Sequence, residues 1–326
     1  MLSNIKIHNP VIIFSNGIGD HFLVLPTIRA LSHLFKDSLS LVCQKNSLAN
    51  EIFCEVNFNK VIEIDFYEKN NVRRFDPHKL LPEIYECDLL ISLNPWGNNL
   101  DIIDLLNGLK LLKFSIGFYK CFSITIPFDL SIHNIDLNFK VAQAIDNSLE
   151  LKCFSEPPQI GKNFSELQEK VSEIKPKGIR ILTIHTDTEQ EKMWSDEKFI
   201  VLLDNIMERH KDICIIPVGI SNLRFDETLK YGDRVLQFDR SKKLSFKLAC
   251  AYISISDFFI GIDSVFLHVA DLFKIPGVAM FGPTSPIEFG FKYSSIYQHI
   301  LSSGKSMTDI NVAEVEDAVE RIMKIH

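Results

Sequence analysis

The 326-residue chain has no excess of positive charge: 35 Lys and Arg stand against 42 Asp and Glu, a formal net charge of −7. Nucleic-acid binding rests on clustered cations that release counterions, so this balance argues against a nucleic-acid partner. No apolar run reaches the roughly 18 residues that a membrane span requires. Met1 to Pro10 lacks the apolar core and small-residue cleavage site of a secretory signal. Glycine and proline, at 14 and 13, are too few for a fibrous or linker-rich protein. The 7 cysteines, Cys43, Cys54, Cys87, Cys121, Cys153, Cys214 and Cys250, are odd in number and form no C-x-x-C pair. They give neither a disulfide framework nor zinc-ligand spacing, and with the missing signal they predict a cytoplasmic protein.

What is present is ordinary globular material, 46% hydrophobic and 24% charged. At about 150 residues per domain the length predicts two domains. Val11 to Ser15 is a short apolar run, followed by the turn Asn16-Gly17-Ile18-Gly19-Asp20 and by helical spacing through Leu34. That unit reads as strand, tight loop, helix. Further strand-like runs at Leu39 to Cys43, Lys60 to Ile64 and Asp88 to Leu93 alternate with helix-compatible segments, the pattern of a parallel sheet covered on both faces. Around Glu156-Pro157-Pro158 the alternation breaks, and residues 156–178 read as a linker between domains 1–155 and 179–326. The second half restarts with strands at Ile179 to Ile184, Cys214 to Val218, Phe258 to Ile260 and Val278 to Phe281. Its helices read at Asp196 to His210, Phe246 to Ile255, Val265 to Phe273 and Val312 to Ile325. The expected architecture is α/β, two facing Rossmann-like domains with a ligand cleft between them.

Three segments carry candidate chemistry. Gly17 and Gly19, after the first strand, offer free amides at a helix start, which suits an anion or a closely approaching substrate. They do not complete a dinucleotide fingerprint, because Phe22 stands where a third glycine falls and no acid ends the second strand near Val42 to Gln44. Asp20 reads either as a helix N-cap or as a functional carboxylate. His185 to Trp194 combines Thr188 and Lys192 at a strand end, a set able to meet a diphosphate, though a charged run there also reads as a solvated loop. Asp263-Ser264 caps a predicted helix and His268 follows within it, so helix-start amides and an imidazole face one anion, or else the segment is only a capped helix with a core histidine.

Together, Phe14 to Leu31, His185 to Trp194 and Asp263 to Ala270 with Phe281-Gly282-Pro283-Thr284 resemble, in the same order, the motifs of the ADP-heptose:lipopolysaccharide heptosyltransferases, glycosyltransferase family nine. The resemblance implies a GT-B fold and metal-independent transfer of heptose from ADP-heptose with inversion, without a cofactor. It implies Asp20 as general base, Thr188 and Lys192 on the donor phosphates, and Asp263, Ser264 and His268 in the donor site. Two positions depart from the family's pattern: Val265 replaces a glycine, and Asp187 replaces a hydroxyl or small residue beside the phosphates.

The acceptor, a lipopolysaccharide-like glycan, a protein or a small molecule, is less legible. Lys69, Arg73, Arg74 and Lys79 form one compact basic stretch, and Trp96 within Asn94 to Asn99 reads as an aromatic platform or as core. Two other readings stand beside the enzyme: a non-catalytic sugar-nucleotide or glycan-binding protein, and, more remotely, a dehydrogenase. Peripheral membrane contact is left open, since no basic amphipathic anchor is evident.

Overall fold

The computed structural model describes residues 6–69, 72–96, 99–173, 175, 177–219, 225–236 and 244–325. The chain divides into two compact units, Met1–Glu156 and Pro157–His326.

In the first unit, β1 (Pro10–Phe14), α1 (Ile18–Phe35), β2 (Ser40–Gln44), α2 (Ala49–Ile52) and β3 (Lys60–Ile64) are followed by a hairpin of β4 (Tyr67–Lys69) and β5 (Val72–Arg74). Then come α3 (Pro77–Leu80), β6 (Leu89–Ser92), α4 (Asn99–Gly108), β7 (Phe114–Gly117), β8 (Ile124–Thr125) and α5 (Asn134–Ile145). The sheet runs β3-β2-β1-β6-β7-β8, with every pairing parallel. All five residues of β1 are buried, as expected of a strand covered on both faces. With the hairpin set aside, this is the doubly wound order in which the chain reverses direction between the first and fourth sheet strands, here β1 and β6. Ligands of such sheets bind beyond the strand ends at that reversal. Arg29 closes the unit on itself: its guanidinium donates to the carbonyls of Phe154, at 3.0 Å, and Glu156, at 2.6 Å, tying the end of the unit back to α1.

The second unit contains α6 (Phe164–Ser172), β9 (Arg180–His185), α7 (Asp196–Arg209), β10 (Ile213–Pro217), α8 (Phe225–Thr228), α9 (Phe246–Ser254) and β11 (Phe258–Ile262). It continues through α10 (Val265–Leu272), β12 (Gly277–Phe281), α11 (Pro286–Phe289), β13 (Tyr297–Leu301) and α12 (Val312–Ile325). Its parallel sheet runs β10-β9-β11-β12-β13, the other common doubly wound order, with its reversal between β9 and β11. Leu182, Ile184, Phe199, Ile260, Met280 and Val319 belong to one buried cluster joining this sheet to α7 and α12.

The stretch 156–178 is not a bare linker. It holds α6, whose Phe164 and Val171 are buried, and Gln168 donates to the Ser254 hydroxyl at 2.8 Å. Lys175 pairs with Asp257 at 2.6 Å. Only two residues of α6 face inward, which leaves its sequence looking polar throughout.

Candidate active site

At the reversal of the first unit, the chain leaves β1 and enters α1 with Gly17 as N-cap, at φ −64° and ψ 170°. Asp20 is therefore the third helical residue rather than the cap. Its Oδ2 accepts the Gly17 N–H at 3.1 Å, and its own N–H donates to the Gly17 carbonyl at 3.1 Å. This is the return half of a capping box. Gly17 adopts a φ open to any residue, and an added Cβ would meet only the Asp20 carboxylate, at 3.7 Å. Gly19 lies inside the first turn. The Gly17 N–H is thus occupied by Asp20 and is not itself offered to an anion.

From the neighbouring strand β6, Asn94 donates to the Ser15 hydroxyl at 3.1 Å and accepts the Trp96 N–H at 3.1 Å, so the loop is fastened to the end of β1. Tyr119 adds a bond to the Pro95 carbonyl at 2.8 Å. The indole of Trp96 is 46% exposed, which excludes the core reading, and it meets Phe128 edge-on at 6.2 Å. Gly97 and Asn98 lie outside the described residues. Of the basic stretch, Arg74 is taken up by the buried Asp101, with Nε–Oδ distances of 2.9 and 2.8 Å, while Lys79 is exposed. The side chains of Lys69 and Arg73 lie outside the described residues. A groove of about 720 Å³ runs along β3 past Tyr67, Arg74 and Asp104, and neither Asp20 nor Trp96 lines it.

In the second unit, the loops after β9 and β11 meet at the reversal. Lys192 Nζ lies 3.3 Å from Asp263 Oδ2 and 3.4 Å from Glu189 Oε2. Burial pulls the ammonium toward neutrality, but Asp263 and Glu189 outweigh it and hold its pKa above the ordinary value, so Lys192 stays charged. The loop is anchored two residues on, where the buried Trp194 donates to the Ile310 carbonyl at 3.1 Å and packs edge-on against Phe199. Thr188 sits half-buried in the same loop.

Ser264 is the N-cap of α10, with an extended backbone at φ −162° and ψ 174°. Contrary to the sequence expectation, its hydroxyl does not bond the first turn, because it is not turned back onto those amides. The Oγ is buried without a hydrogen-bond partner among the described residues, as is Oγ1 of Thr284 at the end of the adjacent β12. The start of α10 therefore lacks side-chain capping, which leaves first-turn N–H groups for an anion. Val265 opens the helix half-exposed, and His268 is buried within it.

Two carboxylates crowd this end. Asp187 turns toward His185, with Oδ1 3.5 Å from Nδ1, while His185 itself donates from Nδ1 to the Val218 carbonyl at 2.9 Å. Burial keeps that imidazole neutral. Gly219 is obligatory here: at φ +113° a Cβ would lie 2.3 Å from Asp187 Oδ1 and 2.8 Å from the His185 ring. Glu288 on α11 has its pKa raised, first by burial and then by Asp263. Glu189 and Glu288 were not singled out from sequence, although Glu288 follows directly on the Phe281 to Thr284 motif. Among the described residues, no group of three or more His, Cys, Asp or Glu is placed to hold a metal ion. No described helix is long and apolar enough to cross a membrane.

Two doubly wound units of this kind match the fold of GT-B glycosyltransferases. The chain belongs to glycosyltransferase family 9, the heptosyltransferases, whose model matches residues 121–319. Solved structures agree in fold across the whole length. A family 9 glycosyltransferase from Veillonella parvula is 16% identical, with a TM-score of 0.71 and 98% of each chain covered. The ADP-heptose lps heptosyltransferase II of E. coli is 14% identical, with a TM-score of 0.68, covering 97% of this chain and 99% of that one. E. coli heptosyltransferase WaaC with ADP is 13% identical, with a TM-score of 0.64, covering 97% and 98%. None of the curated proteins matches.

Proposed function

We propose that the chain transfers heptose from ADP-heptose to a hydroxyl of a glycan acceptor, with inversion and without a metal. The observation that carries this reading is the Lys192–Asp263 pair at 3.3 Å beside the uncapped start of α10. It supplies a fixed cation and backbone amides of the kind a departing diphosphate needs. The ADP of the structurally similar WaaC complex supports the choice of nucleotide.

In the proposed step, the acceptor oxygen attacks the anomeric carbon and its proton passes to the Asp20 carboxylate. The bond from that carbon to the diphosphate oxygen breaks, and its electron pair leaves with ADP. Lys192 and the α10 amides take up the charge that develops on the leaving oxygen, while Ser264, Thr188 and His268 contact the donor. Asp263 holds Lys192 in place, and the exposed Glu189 gives way to phosphate. Trp96 offers its exposed ring to the acceptor sugar.

A non-catalytic nucleotide-sugar-binding protein is the second reading, favoured by Asp187 in the loop after β9, Val265 at the start of α10 and Glu288 beside Asp263. Transfer of heptose from ADP-heptose to a lipopolysaccharide-core oligosaccharide, followed by mass spectrometry with EDTA present, decides between them. Product formation that is lost in Asp20→Asn supports the enzyme. Donor binding with neither transfer nor donor hydrolysis supports the second reading.

A further inference from the structure

We infer that His21 is a positioning residue for the transfer step: an imidazole that clamps the Gly17 backbone and, through it, the Asp20 carboxylate. The inference rests on the reading of Asp20 as the base.

Three bonds converge on one residue, Gly17, across the two peptides that flank its Cα. The Gly17 N–H donates to Asp20 Oδ2 at 3.1 Å, and the Gly17 carbonyl accepts from Asp20 N at 3.1 Å and from His21 Nδ1 at 2.8 Å. A carbonyl oxygen only accepts, so Nδ1 carries the hydrogen and Nε2 is a bare acceptor in the neutral ring. The ring is 2% exposed, with Phe14 edge-on at 4.9 Å and Phe53 stacked at 5.4 Å. Burial pushes its pKa down to about 4, against the pull of the Gly17 bond, so the ring is neutral at working pH.

The niche is aromatic on both sides, and Nε2 is buried there with no hydrogen-bond partner among the described residues. An unpaired buried acceptor costs stability, and a phenylalanine would fill an aromatic niche without that cost. Packing alone therefore does not call for histidine. What the imidazole adds is the Nδ1–H bond to the Gly17 carbonyl. Asp20 is tied to the N–H on the other side of the same Cα, so holding the carbonyl restrains the Gly17 backbone and with it the N–H that fixes the carboxylate.

The test uses the full chain with ADP-heptose and a core oligosaccharide. His21→Phe keeps the aromatic shape and removes the donor. The isosteric pair His21→Asn and His21→Leu differs in having or lacking an N–H that reaches the Gly17 carbonyl. The expected result is a fall in kcat of about tenfold or more in the Phe and Leu variants, the scale on which misplacement of a catalytic group acts. Donor KM stays unchanged, and His21→Asn recovers most of kcat. Melting temperature in His21→Phe holds or rises, since the orphaned Nε2 is gone. Wild-type kcat in the Phe and Leu variants, or an Asn variant no better than Leu, overturns the inference. Where His21→Phe does not fold, the Asn-to-Leu ratio of kcat decides alone, and a ratio near one rejects the clamp. Asp20→Asn, run in parallel, separates the two failures. An active Asp20→Asn variant rejects the base and the clamp together, whereas an inactive one with an Asn-to-Leu ratio near one rejects the clamp only.

Discussion

Helices α1 and α10 both start at the reversal of a doubly wound sheet, yet their capping residues are engaged differently. In α1, the capping residue's N–H is taken by Asp20 at 3.1 Å and its carbonyl by the His21 ring at 2.8 Å. In α10, the N-cap Ser264 makes no side-chain cap, and its hydroxyl is buried without a partner among the described residues. Neither N-cap side chain bonds the first turn, so free first-turn N–H groups do not by themselves tell the two apart. What differs is the charge set beside them, a fixed carboxylate in the first unit and Lys192 beside Asp263 in the second. The second unit sets Lys192 among carboxylates, which keeps it ionised and fixed before any ligand arrives.

The largest expected effect separates the two helix starts by function. Asp20→Asn lowers the rate of transfer by about 100-fold or more, the scale of a lost general base. ADP-heptose affinity in that variant, read by calorimetry, stays at the wild-type value. A parallel loss of affinity would break the division of roles.

Lys192→Ala is next: ADP-sugar affinity falls roughly tenfold or more, as for loss of a charge-assisted bond to phosphate. The sugar-free nucleotide monophosphate is expected to show a smaller loss.

A third effect concerns how α10 is held. Asp271 Oδ1 accepts the N–H groups of Lys292, Tyr293 and Ser294 at 2.8, 2.8 and 3.0 Å. Burial nonetheless lifts its pKa to about 6, the three N–H bonds opposing. A carboxyl raised in the folded state contributes stability that is full below its unfolded value near 4 and is lost as pH rises through about 6. Asp271→Asn keeps a carbonyl acceptor and removes the titration. Its melting temperature relative to wild type should therefore climb between about pH 4 and pH 6 and level off above. A difference that does not change with pH would contradict this.

The smallest effect is local repulsion. Glu288→Gln removes a carboxylate beside Asp263 and should tighten ADP-sugar binding about threefold at neutral pH, on the scale of a screened charge pair. The gain should shrink at acid pH, where the raised pKa of Glu288 has already neutralised it. Weaker binding in the variant would instead make Glu288 a ligand contact.

Most of this architecture was legible because the buried strands are short, continuous apolar runs and helices such as α7 and α12 are strongly amphipathic. β3 and α12 fall on the residues expected from sequence, Lys60–Ile64 and Val312–Ile325. The elements that escaped lack that contrast. β8 is two residues long, β13 is an edge strand carrying Gln298 and His299, and α6 buries only Phe164 and Val171. In the candidate site, Asp20, Lys192, Asp263 and Ser264 are legible from sequence as candidates because each lies near a strand end in a recognisable motif. The Lys192–Asp263 pair and the closeness of Glu288 to Asp263 were not, since neighbouring strands far apart in sequence create them, and the Asp187–His185 contact depends on how the loop after β9 turns. Asp20 as N-cap was one residue-level reading that failed, because Gly17 takes the cap and moves Asp20 to the third helical position.

The central claim is that donor recognition belongs to the start of α10 with Lys192, and proton removal to Asp20. Calorimetric titration of ADP-heptose into wild type, Asp20→Asn and Lys192→Ala tests it most directly. The account predicts equal affinity in wild type and Asp20→Asn, and a loss of about tenfold or more in Lys192→Ala. Wild-type affinity in Lys192→Ala, or a loss confined to Asp20→Asn, would contradict it.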